Sequence, residues 1–201
     1  MTQPTPRRIA VASANPNKLE EIKAILAPYG FEPVGLDAWP DIDDLPETAD
    51  SFEGNALMKA QALVELKGVV AVADDSGLEV DALDGAPGVH SKRFTPEASH
   101  AANNTKLLTV LAGVEGRSAR FRCVIALVTP GGEQALASGS CEGRIGHELR
   151  GAGGFGYDPL FLPDEIPGRS MAELSAEDKN AISHRGRAFR QLPGLLEELG
   201  L

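Results

Sequence analysis

With 201 residues, 42% of them hydrophobic and 24% charged, the chain has the composition of an ordinary globular protein long enough for a real core. A net charge of −10 argues against duplex nucleic acid or an anionic membrane surface as partner, yet allows a small phosphorylated ligand held by a local basic cluster. No apolar run approaches membrane-spanning length and residues 1–8 carry no signal-type segment, so a cytoplasmic protein with reduced Cys123 and Cys141 is expected.

The first predicted strand, residues 8–13, runs into a helix with Asn15 as N-cap and Pro16 in its first turn. Leu19, Ile22, Ile25 and Leu26 form the apolar stripe of that helix, and Gly30 stops it. A strand tip meeting a helix N-terminus offers free N–H groups and a positive dipole end to an anion. Ser13, Asn15 and Lys18 add a hydroxyl, an amide and a cation there, although the same residues would also serve as a plain cap with a solvated lysine. A second strand over residues 31–36 leads to an acidic loop, residues 37–50, carrying Asp41, Asp43, Asp44 and Glu47. Such a run is a solvated face, or it supplies one carboxylate to a metal, with Glu47 nearest the next helix. Ser51 caps that helix. Phe52, Ala56, Leu57, Ala60, Leu63 and Val64 line its apolar side, while Glu53, Asn55 and Lys59 are expected away from the stripe's middle.

Residues 69–73 read as a strand buried on both faces that stops on Asp74, Asp75, Ser76 and Gly77. Open α/β sheets bind ligands beyond the carboxyl ends of their strands. Two carboxylates at such a tip repel unless a cation or a shared proton separates them, and an oxygen-rich site suits magnesium. The four residues would equally make a polar turn. Residues 78–83 alternate like a half-buried strand, Thr95 opens a further helix, and residues 120–129 and 133–144 form a hairpin across Pro130, Gly131 and Gly132.

The closely spaced glycines of residues 151–159 let backbone approach a ligand or turn sharply, and Phe155 and Tyr157 among them could offer an aromatic face to a base. Ser175 with Asp178 resembles a capping box that opens a helix towards Ile182. If Ser183 caps a new helix, His184 and Arg185 fall in its first turn and could converge with Lys179 on an anionic or carbonyl-bearing ligand. Residues 192–201 are expected to form an amphipathic tail packed on the body or on a partner.

Taken together, these motifs resemble the Ham1-like inosine/xanthosine triphosphate pyrophosphatases. The family's Ser/Thr-x-Asn-x-x-Lys, Asp-Asp-Ser-Gly, Gly-Phe-Gly-Tyr-Asp-Pro and Ser-His-Arg-Gly elements occur in order between Ser13 and Gly186. The resemblance implies an α/β fold with an elongated mixed β-sheet flanked by helices, one domain of two lobes around a central substrate cleft, and a homodimer. It also implies magnesium-dependent hydrolysis of non-standard purine nucleoside triphosphates to the monophosphate and pyrophosphate. Carried over by position, Asp75 would be the catalytic acid–base residue and a metal ligand, joined at the metal by Glu47. Ser13, Ala14, Asn15, Pro16, Asn17 and Lys18 would hold the triphosphate, with Ser76 beside them. Phe155, Gly156, Tyr157, Asp158, Lys179, His184 and Arg185 would form the nucleoside side. Lys92, Arg93 and Phe94 depart from the family's small residue followed by Arg-Tyr. The rival readings are a Maf-like pyrophosphatase for other modified nucleotides and a sensor that binds a nucleotide without hydrolysing it.

Overall fold

The computed structural model describes residues 6–42 and 44–201, so Asp43 of the acidic loop and the first five residues lie outside it. Six strands hydrogen-bond in the order β2-β1-β3-β4-β5-β6: β1 (Arg7–Val11), β2 (Phe31–Val34), β3 (Ala71–Val80), β4 (Ser118–Val128), β5 (Gln134–Ile145) and β6 (Phe161–Pro163). β1 pairs in parallel with both β2 and β3, whereas β5 and β6 are antiparallel, which makes the sheet mixed. Pro33 lies in β2, at one end of the strand order, where a residue without an N–H is tolerated.

The chain divides into two compact units. The first comprises Met1–Asp75, Cys123–Gly139 and Arg185–Leu201. Here α1 (Pro16–Leu26) and α2 (Phe52–Lys67) follow their predicted caps: the Asn15 side chain accepts from the amides of Asn17 and Lys18, and that of Ser51 from Gly54. Gly68, at φ 63°, ends α2 in the left-handed conformation without a Cβ clash, whereas α1 stops earlier than expected, at Ala27, and Gly30, at φ 75°, ends the short 3-10 helix Ala27–Tyr29 that follows it. Ile9, Val11, Ile22, Leu26, Val72 and Ile125 share one core with Phe189, Leu192, Leu195 and Leu196. The final helices, α5 (His184–Phe189) and α6 (Leu192–Glu198), thus bring the apolar side of the tail onto the chain's own body.

The second unit comprises Ser76–Arg122 and Ser140–His184. Leu78, Val80, Leu107, Phe121, Tyr157 and Phe161 belong to its core. Its helices are α3 (His100–Val110) and α4 (Ala176–Ile182). The helix expected to open at Thr95 begins later, because Ser99 provides the N-cap by accepting from the Ala102 amide. Thr95 is instead tied down by Asn103, whose Oδ1 accepts from both the Thr95 amide and its hydroxyl at 2.9 Å.

A larger revision concerns β3. The acids expected at its tip lie in its middle, since the strand runs on through Asp74, Asp75, Ser76 and Gly77 to Val80. A polar turn would leave these side chains in water, but Asp74 and Asp75 are buried and paired with the ammonium groups of Lys18 and Lys59. Both cysteines are buried and free, Cys123 in β4 and Cys141 in β5, and burial next to Asp74 pushes the Cys123 thiol up to about 12.

Candidate active site

Side chains alternate across a strand, so adjacent residues of β3 project to opposite faces of the sheet. That relieves the repulsion expected of neighbouring acids and gives each its own partners. The Asp74 carboxylate, fully buried, lies 3.0 Å from the Lys18 ammonium and 3.4 Å from the Arg185 guanidinium. Arg185, itself 2% exposed, also donates to Glu21. Burial pushes the Asp74 carboxyl up, but Lys18, Arg185 and Lys59 outweigh it and hold the group well below the usual carboxylate range. The same pairing with Asp74 and Glu21 overcomes burial at Arg185 and raises its guanidinium further still.

On the other side, Asp75 meets α2. Its Oδ2 accepts from Asn55 Nδ2 at 3.0 Å, and Oδ1 lies 3.6 Å from Lys59 Nζ. The same ammonium donates to Glu47 and to the Asp74 carbonyl, each at 2.7 Å. Asn55 also accepts from the Ala49 amide at 2.9 Å, which anchors the end of the acidic loop and with it Glu47. Burial raises the Asp75 carboxyl above its ordinary value, and Lys59, Lys18 and the Asn55 hydrogen bond only partly oppose it. One acid is therefore a locked anion and the other a titratable group.

The sequence places Asn55 and Lys59 away from the apolar stripe, yet both are buried. Their signal lies in helical spacing. Phe52, Asn55, Ala56, Lys59, Ala60 and Leu63 recur every three or four residues and together make the buried face of α2. Glu47 and Asp75 thus share one cation. No group of three or more His, Cys, Asp or Glu side chains that could hold a metal occurs among the described residues. A two-carboxylate donor set fits magnesium, which takes one or two carboxylates and completes its shell with water and phosphate oxygens.

The Ser13–Lys18 motif keeps its predicted shape. Asn15 Oδ1 accepts from the Asn17 and Lys18 amides at 3.0 and 3.3 Å, and the Ser13 hydroxyl accepts from the Asn15 amide at 3.3 Å. Ala14, Pro16 and Asn17 are exposed at this turn, whereas Ser76, next to Asp75 along β3, is half-buried. A hollow of about 1020 Å³ also opens in the first unit. Ala14 and Pro16 reach it along with Leu36, Trp39 and Ile42, but none of the buried acids does.

In the second unit the glycine-rich segment is shaped by Asp158. Its Oδ2 accepts from the Phe155 amide at 2.8 Å and from Lys179 Nζ at 2.5 Å. Gly154, at φ 67°, lies so close to that carboxylate that an added Cβ would sit 2.1 Å from Oδ2. Phe155 is half-buried with the Lys179 ammonium 4.9 Å from its ring centroid. Tyr157 corrects the expectation of a second aromatic face. Its ring is 5% exposed within the core, and its hydroxyl donates to the Ser91 carbonyl at 2.9 Å. Burial raises its phenol accordingly.

The chain does break between α4 and α5: Ser183 is extended, at ψ 151°. His184, 6% exposed, stacks on Phe121 in the second unit with centroids 4.9 Å apart. Arg185 belongs to the first unit, engaged by Asp74 and Glu21, so the nucleoside-side role expected of it falls to a residue already holding two carboxylates. Glu21 has no signal of its own beyond lying on α1 between buried Leu19 and Ile22.

The Ham1 family model matches residues 9–194. The dITP/XTP pyrophosphatase of Geobacter sulfurreducens is 52% identical over 188 residues, covering 92% of this chain and 94% of its own length. That of Desulforamulus reducens is 48% identical over 195 residues, 96% of each chain. Among solved structures, the Ham1 protein of Staphylococcus aureus superposes with a TM-score of 0.84 at 37% identity, covering 96% of this chain and 100% of its own.

Proposed function

From the premise that this chain belongs to the Ham1 family, we propose that it hydrolyses non-canonical purine nucleoside triphosphates (dITP, ITP and XTP) to the monophosphate and pyrophosphate. Water attacks the α-phosphate. The observation that carries this reading is the pairing in β3 of a locked anion, Asp74, with a titratable one, Asp75, that shares the Lys59 ammonium with Glu47.

Each group then has a task. The turn formed by Ser13, Ala14, Asn15, Pro16 and Asn17, with Ser76, receives the phosphates at the N-terminus of α1, and Lys18 offsets their charge. Asp75, its pKa raised by burial, accepts the proton of the attacking water. Glu47 and Asp75 would hold magnesium, which when bound supplies charge neutralisation at the phosphates. Lys59 balances the two carboxylates, and Asn55 fixes the direction of Asp75. Asp74 anchors Lys18 and Arg185 and stays outside the proton transfer.

For the base, Phe155 offers a stacking face, with Gly156 and Asp158 setting its backbone. Lys179 and His184 are the donors suited to a 6-keto oxygen, and the amino group of adenine would leave such donors unpaired. Arg185 stays engaged by Asp74 and Glu21. The active form is a cytoplasmic homodimer, checked by sedimentation of the purified protein and by fractionation of cells.

The test is release of pyrophosphate from ITP, XTP, dITP, ATP, GTP and a methylated pyrimidine nucleoside triphosphate, with magnesium and then with EDTA. Turnover of the three non-canonical substrates, lost in EDTA, is expected. Orthophosphate as product, or equal rates on ATP, would overturn the assignment. A preference for methylated pyrimidine nucleotides would favour the Maf-like alternative, and binding without turnover the sensor.

A further inference from the structure

The segment that carries Phe155 is gripped from a direction no motif announces. His100 and Asn104 lie one turn apart on α3, so both side chains emerge on the same face. Both reach a single residue, Gly156. The Gly156 amide donates to His100 Nδ1 at 3.3 Å, and its carbonyl accepts from Asn104 Nδ2 at 2.9 Å. The two polar groups of one residue are thus held by one helix, while Gly156 sits at φ 63°, a conformation that L side chains rarely adopt. The His100 ring is also 6.3 Å, centroid to centroid, from that of Phe155.

This grip is destabilising in one respect. Asn104 is 5% exposed, and turning its Nδ2 to Gly156 leaves Oδ1 buried without a hydrogen-bond partner among the described residues. An unsatisfied buried acceptor is unfavourable, so the fold gives up stability where it fixes this peptide. Asn103, the neighbour of Asn104, ties down the segment that precedes α3 in the chain. Its Nδ2 donates to the carbonyls of Ser91 and Lys92 at 3.3 and 3.0 Å, and the Tyr157 hydroxyl donates to that same Ser91 carbonyl. Gly156 and Tyr157, the two residues after Phe155, are therefore both held: Gly156 through its peptide groups by two α3 side chains, and Tyr157 through its hydroxyl by the Ser91 carbonyl before α3.

We propose that His100 and Asn104 are positioning residues for base recognition: they clamp Gly156 so that the Phe155 ring is held ready to stack on the purine. The inference rests on the assignment of Phe155 to the base. The clamp acts before chemistry, so its loss weakens binding and leaves the reacting groups untouched. It also requires Nδ1 of His100 to be an acceptor, a role that asparagine Oδ1 can take over at the same distance from the backbone.

The experiment measures KM and kcat for ITP, with melting temperature as control, in the wild type and in His100→Ala, His100→Asn, Phe155→Leu and the His100→Ala/Phe155→Leu double variant. His100 is exposed, so its replacement leaves folding intact. The expected result is a KM raised about two- to tenfold in His100→Ala, the value of one hydrogen bond. In the two single His100 variants kcat stays unchanged, His100→Asn restores KM, and the double variant has a KM no higher than that of Phe155→Leu alone. An unchanged KM in His100→Ala, with a raised one in Phe155→Leu, overturns the clamp and leaves the base reading standing. An unchanged KM in Phe155→Leu sinks the base reading, and the clamp with it. A fall in kcat and melting temperature together would make His100 a structural residue and refute the proposal.

Discussion

Asp74 and Asp75 are neighbours in the chain and opposites in chemistry, and single substitutions should separate them. In Asp75→Asn the amide can still accept from Asn55, but no group remains to take a proton; turnover of ITP should fall about 10²–10⁴-fold. Its melting temperature should hold or rise, because a buried carboxyl with a raised pKa burdens the fold at neutral pH. Asp74→Asn should do the reverse to the fold. It leaves the buried Arg185 and Lys18 short of their anion, and should cost about 3–5 kcal/mol in denaturant unfolding. The pH dependences differ in sign as well. Asp74, depressed in the folded state, contributes stability above the ordinary carboxylate pKa that is lost as pH falls below it. Asp75, raised in the folded state, binds its proton more tightly there, so its contribution is lost as pH rises through the carboxylate range. Stability between about pH 4 and pH 7 should therefore rise more steeply in Asp75→Asn than in the wild type, a comparison made by chemical denaturation across pH.

At the scale of elements, the cap of α1 ties stability to the phosphate binding proposed for this turn. Asn15 satisfies two amides at the helix start, and Asn15→Ala should cost about 1 kcal/mol in unfolding free energy and raise KM for ITP by freeing Lys18 and the turn. Asn15→Ser, which retains a capping oxygen, should recover most of the stability. Helix α2 performs a different joining: one face carries Ala56, Ala60 and Leu63 into the interior together with Asn55 and Lys59. Lys59→Met should keep much of the packing of the aliphatic stem but leave Glu47 and Asp75 facing each other without their cation. Magnesium should then raise the melting temperature of this variant more than that of the wild type, which differential scanning fluorimetry would register.

The whole molecule is interleaved in sequence. The first unit collects three segments, and its core mixes Ile9, Val72 and Ile125 with Phe189, Leu192, Leu195 and Leu196. A chain ending at Asp75 has the first segment without the others, and should show no cooperative unfolding transition by circular dichroism. Removing residues 192–201 alone should destabilise the protein by several kcal/mol, since burying each leucine contributes roughly 1.5–3 kcal/mol. The tail, which the amphipathic pattern leaves between two destinations, belongs to the chain's own core.

Elements with local causes are legible in the chain alone. Asn15 and Ser51 cap, Gly68 stops α2, and the stripes of α1 and α2 follow a 3.6-residue period, because these choices depend on residues within a turn or two. The four ordered motifs also identify the family. What each polar group faces is settled by tertiary structure. Asp74 and Asp75 read as the tip of a strand or as a polar turn because their composition suits an end, and only pairing within the sheet and cations from α1, α2 and α5 hold them inside a strand. Tyr157 reads like Phe155 until packing takes its ring into the core, and Arg185 reads as a ligand donor until Asp74 and Glu21, 111 and 164 residues away in sequence, engage it. A buried charge is set by the partners that neutralise it, and those partners are distant in the chain.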